Sequence, residues 1–507
     1  MKLKKLLVMS VSLMMILTLV NINVFAEETK NVATGTQKVF VKGLDAGPAV
    51  TKSIIKLDKV IDHESVDKDD FQVEEEKNTT LNYTTGETGI VKNNRTILNA
   101  YTSNANGDKT NEDSNYVTIE MYGSPKEGSP FIYSPITGLN NWCSTYKLNV
   151  DLTGEITSED TTVQDVSVEP NIDVAGNDKI CPQIEEFNYA TYTAKDNVEY
   201  HYADYSPAKD NKKNPLVIWL HGGGEGGIDP QITLLANKAS NFASKEFQDE
   251  MKGAYVLVPQ CPTKWMNDET GQYQYGDKGS VYKEGLFELI NNYVEKNDDI
   301  DKNRIIIGGC SNGGYMTLEM LFAHPDYFSA AFPICEAFWN KYISDEQIDS
   351  IKNIPMWFTY AKTDTNKVAV KEECSIPTIE RLKKANAKDL HVSELEKVVD
   401  ESKQFNKDGL PYNNGDELYE YNGHWSWIYA QNNWLKDGDL TLWSWLSNQV
   451  KVSNSTENTT KPTNMSNSKN NTVTASVKTG DNVSFVTYIS LLVLAVAVFI
   501  SIKKYVF

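Results

Sequence analysis

The segment Gly309-Cys310-Ser311-Asn312-Gly313 carries the side chain best suited to covalent chemistry in this sequence. It follows the apolar run Ile305-Ile306-Ile307 and precedes a helical stretch that begins near Gly314. A serine at such a strand-to-helix turn has a strained backbone, and the glycines on both sides avoid side-chain clashes. The turn also sets Ser311 near a helix N-terminus, where backbone N–H groups face developing negative charge. Ser311 is therefore the predicted nucleophile.

A serine nucleophile needs a general base, and His424 is the best placed of the six histidines. It lies in Asn422-Gly423-His424-Trp425, a glycine-preceded loop late in the chain. The acid that orients such a base should follow a strand between the nucleophile and the histidine. Asp364 meets both conditions, because it comes just after the apolar run 354–360. Asp364 would fix the imidazole tautomer, and His424 would take the Ser311 proton and return it to the leaving group. The remaining histidines outside the glycine turn are predicted to be structural or surface residues: His63, His201, His324 and His391.

A glycine-rich turn supplies the remaining requirement, which is a site for the oxyanion. His221-Gly222-Gly223-Gly224 directly follows the apolar run 216–220. Glycines there let backbone N–H groups approach a substrate carbonyl closely. Gly222 and Gly223, together with the N–H of Asn312, are the predicted oxyanion hole. A turn that binds nucleotide phosphate is excluded, since the sequence has no G-x-x-x-x-G-K-[ST].

The elements that must position these residues alternate between strands and helices. Short unbroken apolar runs are typical of parallel strands covered on both faces, and they occur at 216–220, 254–258, 305–307 and 354–360. Amphipathic helical stretches lie between or after them, at 281–294, 314–322 and 376–385. Residues 184–450 are therefore predicted to form an α/β domain around a parallel-rich sheet flanked by helices.

A different pattern precedes this domain. Residues 117–121 and 146–152 alternate between apolar and polar side chains, which is typical of half-buried antiparallel strands. Turn-rich segments such as 104–108 separate such stretches. Residues 37–156 are predicted to form a small all-β sandwich.

The two ends of the chain predict its location. Lys2, Lys4 and Lys5 come before an apolar run that leads to Ala26, so residues 1–26 are predicted to be a signal peptide. Residues 482–502 carry no charged side chain and precede two lysines, so residues 482–507 are predicted to span a membrane or to act as a sorting segment. Residues 452–478 are rich in Ser, Thr and Asn and are predicted to be a flexible stalk.

The segment Lys478-Thr479-Gly480-Asp481 resembles the Thr-Gly cleavage site of sortase-processed surface proteins of Gram-positive bacteria. Ser476 and Val477 stand where that pattern has Leu and Pro. Linkage to the cell wall and retention by a membrane helix are the two alternatives. Both predict an extracellular protein at the surface of a Gram-positive type of cell.

Taken together, the motifs resemble the secreted α/β-hydrolase esterases with an N-terminal immunoglobulin-like domain, a group often labelled predicted peptidases. The resemblance covers roughly residues 37–450, and it depends on the His221 glycine turn, Pro259-Gln260-Cys261-Pro262 with Trp265, the Ser311 turn, His424-Trp425 and Gly47-Pro48-Ala49-Val50-Thr51-Lys52. It implies an α/β-hydrolase fold preceded by an immunoglobulin-like sandwich, and ester hydrolysis through an acyl-enzyme on Ser311. It also implies that Trp265 and Trp425 line the mouth of the site.

Three functions fit these observations. The leading hypothesis is a surface-anchored serine carboxylesterase that acts on small-molecule or polymer-linked esters. The alternatives are a serine peptidase of prolyl-oligopeptidase-like type with the same triad, and a non-catalytic surface binding protein. The presence of all four elements, Ser, His, Asp and the glycine turn, argues against the last, since packing alone requires none of them.

Composition limits the partners. The chain has 49 Lys and Arg against 69 Asp and Glu, and a formal charge of −20 opposes the phosphate contacts that a nucleic-acid-binding protein needs. An aromatic fraction of 10% argues against a disordered chain. The sequence shows no His, Asp, Glu or Cys cluster with metal-ligand spacing, so we expect neither a catalytic metal nor another cofactor.

Overall fold

The computed structural model describes residues 30–451. The predicted signal peptide (1–26), stalk (452–478) and C-terminal segment (482–507) lie outside the described residues. Between residues 30 and 451, no helix is long and apolar enough to cross a membrane.

The N-terminal part of the chain is built from strands, as its alternating pattern predicts. Its thirteen strands among the described residues are β1 (Val32–Leu44), β2 (Gly47–Ile61), β3 (Phe71–Asn82), β4 (Glu87–Asn94), β5 (Ile97–Thr102), β6 (Ser114–Met121), β7 (Phe131–Ser134), β8 (Leu139–Trp142), β9 (Tyr146–Leu152), β10 (Ile156–Ser158), β11 (Thr161–Val163), β12 (Asp165–Val168) and β13 (Lys179–Ile180). One sheet has the order β12-β1-β2-β6-β5 with β13 also paired to β1, and a second has the order β4-β3-β9. Two hairpins, β7-β8 and β10-β11, complete this part.

The alternation of apolar and polar residues in the N-terminal strands follows from the burial of one face of the strand. In β9 the apolar side chains of Tyr146, Leu148, Val150 and Leu152 are buried, whereas the residues between them reach solvent. The strands continue past residue 156, where the pattern had predicted the domain to end. Strand β12 pairs in parallel with the start of β1 from Val32 to Gly35, so it belongs to the first sheet. It is too short to show a clear period of two.

The second half of the chain contains one eight-stranded sheet. Its strands are β14 (Asn188–Thr193), β15 (Glu199–Tyr205), β16 (Asn214–Leu220), β17 (Tyr255–Gln260), β18 (Ile300–Cys310), β19 (Ala330–Ile334), β20 (Met356–Ala361) and β21 (Leu390–Leu395). The order across the sheet is β14-β15-β17-β16-β18-β19-β20-β21. The first two pairs are antiparallel and the other five are parallel. A short hairpin follows, β22 (Lys436–Asp437) and β23 (Leu440–Thr441).

Helices connect the parallel strands. The α-helices are α1 (Pro182–Glu185), α2 (Pro230–Ala236), α3 (Lys245–Met251), α4 (Lys283–Lys296), α5 (Asn312–Ala323), α6 (Asp345–Ile351), α7 (Ser375–Lys384), α8 (Trp427–Gln431) and α9 (Leu442–Ser447). Short 3₁₀ helices occupy His63–Ser65, Lys68–Asp70, Ala239–Ala243, Asn340–Tyr342 and Gly423–Trp425. The three predicted helical stretches correspond to α4, α5 and α7, and their ends differ from the prediction by one or two residues.

The sheet brings the candidate residues to one edge. Every residue of β16, β17, β19 and β20 is buried, which explains why these strands appear in the sequence as unbroken apolar runs. Strands β16, β18 and β20 end at Leu220, Cys310 and Ala361, immediately before the His221 turn, Ser311 and the Asp364 loop. Ligands of open α/β sheets bind at the carboxyl ends of the strands, and the candidate site lies there.

Candidate active site

Ser311 occupies a strained turn between β18 and α5. Its φ of 54° and ψ of −111° lie in a region that side chains other than glycine rarely adopt. The flanking glycines are required by close backbone contacts. A Cβ on Gly309 would lie 2.5 Å from the Leu220 carbonyl oxygen, and a Cβ on Gly313 would lie 2.0 Å from the same atom. The G-x-S-x-G spacing therefore lets helix α5 begin against β16 while the Ser311 side chain remains in a pocket.

The replacement Gly313→Ala tests this packing. We expect it to lower the free energy of unfolding by about 1–3 kcal/mol, since its Cβ must displace the β16 backbone. We also expect kcat/KM to fall about 100-fold, because Ser311 would move with the turn. Chemical denaturation and ester kinetics measure the two effects. Gly438→Ala is the control: its Cβ meets nothing within 4 Å, so only the cost of its positive φ applies and kcat/KM should not change.

The Asp364–His424 pair reaches the same pocket through His424, with Asp364 behind it. His424 Nδ1 is 2.8 Å from Asp364 Oδ2, and both side chains are largely buried. The other carboxylate oxygen of Asp364, Oδ1, accepts a hydrogen bond from the N–H of Asn366 at 2.8 Å. Gly423 allows the approach, because a Cβ there would lie 2.5 Å from the Thr363 carbonyl carbon. A carboxylate can only accept, so Nδ1 carries the proton and Nε2 remains an acceptor.

The surroundings of His424 set its basicity. Burial lowers its pKa, but Cys335 and the Asp364 carboxylate raise it by more, so the pKa of His424 lies above its ordinary value. Ser311 and His424 line the same pocket. No hydrogen bond joins Ser311 Oγ to His424 among the described residues. Such bonds are commonly long in a substrate-free enzyme and shorten when substrate binds.

A buried histidine holds the glycine turn. His221 is fully buried, and its Nε2 accepts the N–H of Cys261 at 3.0 Å. The other ring nitrogen, Nδ1, therefore carries the proton and donates to the Gly222 carbonyl at 2.6 Å. Burial lowers the pKa of His221 to about 4, so the ring is neutral at physiological pH. With both ring nitrogens bonded to backbone groups, His221 holds the turn between β16 and α2 in one conformation.

The turn presents its N–H groups unequally. The Gly222 N–H faces Asn237 Oδ1 at 3.4 Å. The His221 ring donates a hydrogen bond to the Gly222 carbonyl, so this carbonyl points toward the ring. The carbonyl and the N–H of a trans peptide point in opposite directions, so the Gly223 N–H of the same peptide points away from the ring. A Cβ on Gly223 would lie 3.8 Å from the Asn312 Cβ, so these two residues face each other. Within residues 30–451, the N–H groups of Gly223 and Asn312 donate to no protein acceptor. The geometry thus favours Gly223 over Gly222 as the partner of Asn312.

The pocket that contains Ser311 has a volume of about 1010 Å³, and both halves of the chain line it. From the hydrolase half come Ser311, Asn312, His424 and Trp425, as expected. From the β-rich half come Lys77, Tyr83, Arg95, Phe131, Tyr133 and Asn140, among others. The predicted place of Trp265 is wrong. It is 0% exposed and packs against His221 with a ring-centroid distance of 5.2 Å, so it supports the glycine turn from within the core.

The β7-β8 hairpin contacts the glycine turn directly. The N–H of Asn140 donates to the Gly224 carbonyl at 2.7 Å, and its side-chain Nδ2 donates to Glu225 Oε1 at 3.3 Å. Trp142 Nε1 donates to Asp229 Oδ2 at 2.8 Å. The β-rich half is therefore part of the site rather than a separate module.

Sequence reasoning missed three residues of the site. Glu225 is 7% exposed and lines the pocket. Its place in the sequence, directly after the glycine run, is a signal that could have indicated its part in the site. Cys335, just after β19, has a φ of 37° and lies against His424, and nothing in the sequence marks it. Asn140 is 85 positions from its partner and has no local signal. In the described part of the chain, the ligand atoms of Asp62, His63 and Asp113 lie within 4.8 Å of one another, but none of the three lines this pocket.

A sheet of this order, a strained serine after one strand and an Asp–His pair after later strands together define an α/β hydrolase. Comparison with known proteins supports the class. Residues 37–165 match the family described as the esterase Ig-like N-terminal domain, and residues 268–387 match the prolyl oligopeptidase family. The predicted combination of an immunoglobulin-like domain and an α/β-hydrolase domain is confirmed.

Individual relatives agree with this combination. A crystal structure of a thermostable esterase is 24% identical and has a TM-score of 0.62, covering 82% of this chain and 99% of its own. A protein of Schizosaccharomyces pombe, named as a candidate dipeptidyl aminopeptidase, is 26% identical over 222 residues, or 42% of this chain. The match spans only 24% of that relative's length. Each family match covers about a quarter of the chain, and the two together agree with an α/β-hydrolase domain that follows an immunoglobulin-like domain.

Proposed function

We propose that the protein is a carboxylesterase and that Ser311, His424 and Asp364 form its catalytic triad. The observation that carries this proposal is the meeting of a strained Ser311 and the 2.8 Å His424–Asp364 pair at one pocket. Asn312 and Gly223 supply the N–H groups for the oxyanion, and Gly222 holds the turn in place. Trp425 forms part of the substrate wall.

The mechanism follows the triad chemistry. His424 Nε2 takes the proton of Ser311 Oγ as that oxygen attacks the ester carbonyl carbon, and the carbonyl oxygen becomes an oxyanion. Collapse of the tetrahedral intermediate breaks the bond to the alkoxy oxygen, and His424 returns the proton to the departing alcohol. A water molecule then attacks the acyl-enzyme by the same route and releases the acid. Asp364 stabilises the imidazolium in both halves.

The size and lining of the pocket support a bulky substrate. A volume of about 1010 Å³ is at the upper end for small-molecule sites. Aromatic side chains from both domains contribute to its wall: Tyr83, Phe131, Tyr133, Tyr273, Trp425 and Trp427. An ester with a large or aromatic group, either free or linked to a polymer, would fill this space and stack on the wall.

The place of action is the outer cell surface. This part of the proposal depends on the sequence of the two chain ends, with a signal peptide at residues 1–26 and an anchor at residues 482–507. Antibody labelling of intact cells, before and after protease treatment, tests it. An enzyme recovered only from the cell interior would contradict it.

A serine peptidase is the second candidate, because of the match to the prolyl oligopeptidase family and the similarity to the yeast relative. An enzyme that trims free N-termini needs a carboxylate to bind the substrate ammonium group. The carboxylates that line the pocket already have partners: Glu75 and Glu127 with Arg95, Asp45 with Lys238, and Glu225 with Asn140. This arrangement favours the ester substrate.

A substrate panel separates the two candidates. We expect kcat/KM for p-nitrophenyl and hydroxycinnamoyl esters to exceed that for dipeptidyl p-nitroanilides by at least about 100-fold. Ester and peptide substrates with the same acyl side chain are the matched comparison. Peptide turnover without ester turnover would reverse the order of the two candidates.

A further inference from the structure

Glu225 is a buried acid next to the glycine turn for which the triad mechanism has no use. It lines the Ser311 pocket, and a Cβ on Gly222 would lie only 2.9 Å from Glu225 Oε2. Asn140 of the immunoglobulin-like domain donates to the other carboxyl oxygen. Gln260 Nε2 donates to the Glu225 carbonyl at 2.9 Å and fixes the backbone of the same residue.

The second neighbour of the carboxyl is Asn237, just after α2, which also accepts the Gly222 N–H. Glu225, Asn237 and the His221 ring therefore hold both ends of the Gly222 residue. This arrangement fixes the direction of the Gly223 N–H, the proposed oxyanion donor. An oxyanion hole works only when its donors are aimed before the reaction begins.

We propose that Glu225 is a positioning residue that couples the immunoglobulin-like domain to the oxyanion turn, and that its negative charge, when present, opposes the developing oxyanion. The inference rests on the proposed ester hydrolysis at Ser311. It assigns to Glu225 two separable effects, one through hydrogen bonds and one through charge.

The charge effect should appear near neutral pH. Burial raises the pKa of Glu225 to about 7, although hydrogen bonds from Asn237 and Asn140 oppose the rise. The ionisable groups that face the carboxyl are Cys310 at the end of β18, Tyr133 on β7 and His424. Burial raises the pKa of both Cys310 and Tyr133, so only His424 brings a positive charge. As the pH rises, Glu225 loses its proton and a negative charge appears beside the oxyanion turn.

The replacement Glu225→Gln removes the charge and keeps an acceptor. Asn140 can rotate its amide to present Oδ1 to the new NH₂ group, so the link between the domains remains. We expect the ratio of kcat for Glu225→Gln to kcat for the unmodified protein, on a p-nitrophenyl ester, to rise about tenfold as Glu225 ionises. The pKa of His424 is raised as well, and its deprotonation increases kcat with pH in both proteins alike, so the ratio of the two profiles isolates the effect of Glu225.

Glu336→Gln is the matched control, since Glu336 is a second buried glutamate of the hydrolase domain and burial raises its pKa to about 8. It is not part of the pocket wall. A kcat ratio to the unmodified protein that stays constant with pH for Glu225→Gln and rises with pH for Glu336→Gln would overturn the proposal. So would equal pH profiles of kcat in all three proteins, or a Glu225→Gln protein that unfolds like the unmodified protein and has no activity at any pH.

The hydrogen-bond effect is tested from the other domain. Asn140→Ala should lower kcat about tenfold while KM changes less than about twofold, because the amide that the variant removes donates to Glu225 and its loss loosens the turn. Asn141→Ala, which changes the exposed neighbour on the same hairpin, should leave both constants unchanged. An unchanged kcat in Asn140→Ala would contradict the coupling. Absence of ester turnover in the unmodified protein would instead refute the proposed function itself.

Discussion

Replacing Ser311 by alanine is expected to lower kcat/KM on p-nitrophenyl esters by at least about 10⁴-fold. The reason is that the mechanism needs an oxygen at this position to form the acyl-enzyme, and water cannot occupy the same strained site with equal geometry. Residual activity would come from the oxyanion N–H groups and binding alone. Covalent labelling with a fluorophosphonate, followed by mass spectrometry, should place the label on Ser311 and should fail in Ser311→Ala.

The control for this prediction is Ser426→Ala. Ser426 is buried two positions after His424, and its hydroxyl has no hydrogen-bond partner among the described residues. Its replacement should leave kcat/KM within about twofold of the unmodified protein. Equal activity in Ser311→Ala and the unmodified protein would exclude the triad, and the absence of ester turnover in both would favour the surface binding protein.

Replacing Asp364 by asparagine is expected to lower kcat by about 10³- to 10⁴-fold. An amide can donate to Nδ1, so it stabilises the tautomer in which Nε2 carries the proton and cannot act as a base. The carboxylate also raises the pKa of His424. Its loss should therefore move the acid limb of the remaining kcat/KM to lower pH. A pH profile of the slow variant measures this shift.

Asp389→Asn provides a matched comparison. Asp389 Oδ1 lies 2.9 Å from His391 Nε2, so the variant changes another aspartate–histidine contact in the same domain, outside the pocket. It should leave kcat unchanged. A loss of activity as large as that of Asp364→Asn would mean that the effect comes from destabilisation of the domain rather than from the tautomer of His424.

The sheet and the serine turn could be predicted because their causes are local. Burial on both faces makes most of β16, β17 and β20 apolar, and these strands are visible in the sequence as the runs 216–220, 254–258 and 354–360. The glycines around Ser311 are explained by the nearby Leu220 carbonyl oxygen, which would lie only 2.5 Å from a Cβ on Gly309 and 2.0 Å from a Cβ on Gly313. Backbone geometry of this kind leaves few residue choices, so the pattern in the sequence is strong.

Side-chain direction could not be predicted in the same way. Trp265 follows the segment Pro259-Gln260-Cys261-Pro262, and Trp425 follows His424. Trp265 nevertheless packs in the core against His221, whereas Trp425 lines the pocket wall. Either environment stabilises an indole ring. Which of Gly222 and Gly223 has its N–H free for the oxyanion could likewise not be predicted, because this depends on the hydrogen bond from the His221 ring to the Gly222 carbonyl.

Contacts between the two domains were the least predictable part. Asn140 and Glu225 are separated by 85 positions and belong to no shared pattern. They meet only because the β7-β8 hairpin of one domain packs against the glycine turn of the other. Neither residue type is rare in an exposed turn, so although Glu225 follows the glycine run, nothing in the sequence indicates that Asn140 is its partner.

The position of the β7-β8 hairpin against the glycine turn has an evolutionary consequence. One domain contains the proposed triad, whereas the other contributes much of the pocket wall that a substrate would meet. Mutations in the hairpins of the immunoglobulin-like domain can therefore alter substrate selection while the reacting atoms stay in place. Selection can diversify such an enzyme by exchanging or reshaping its smaller domain, as an antibody lineage diversifies through its loops.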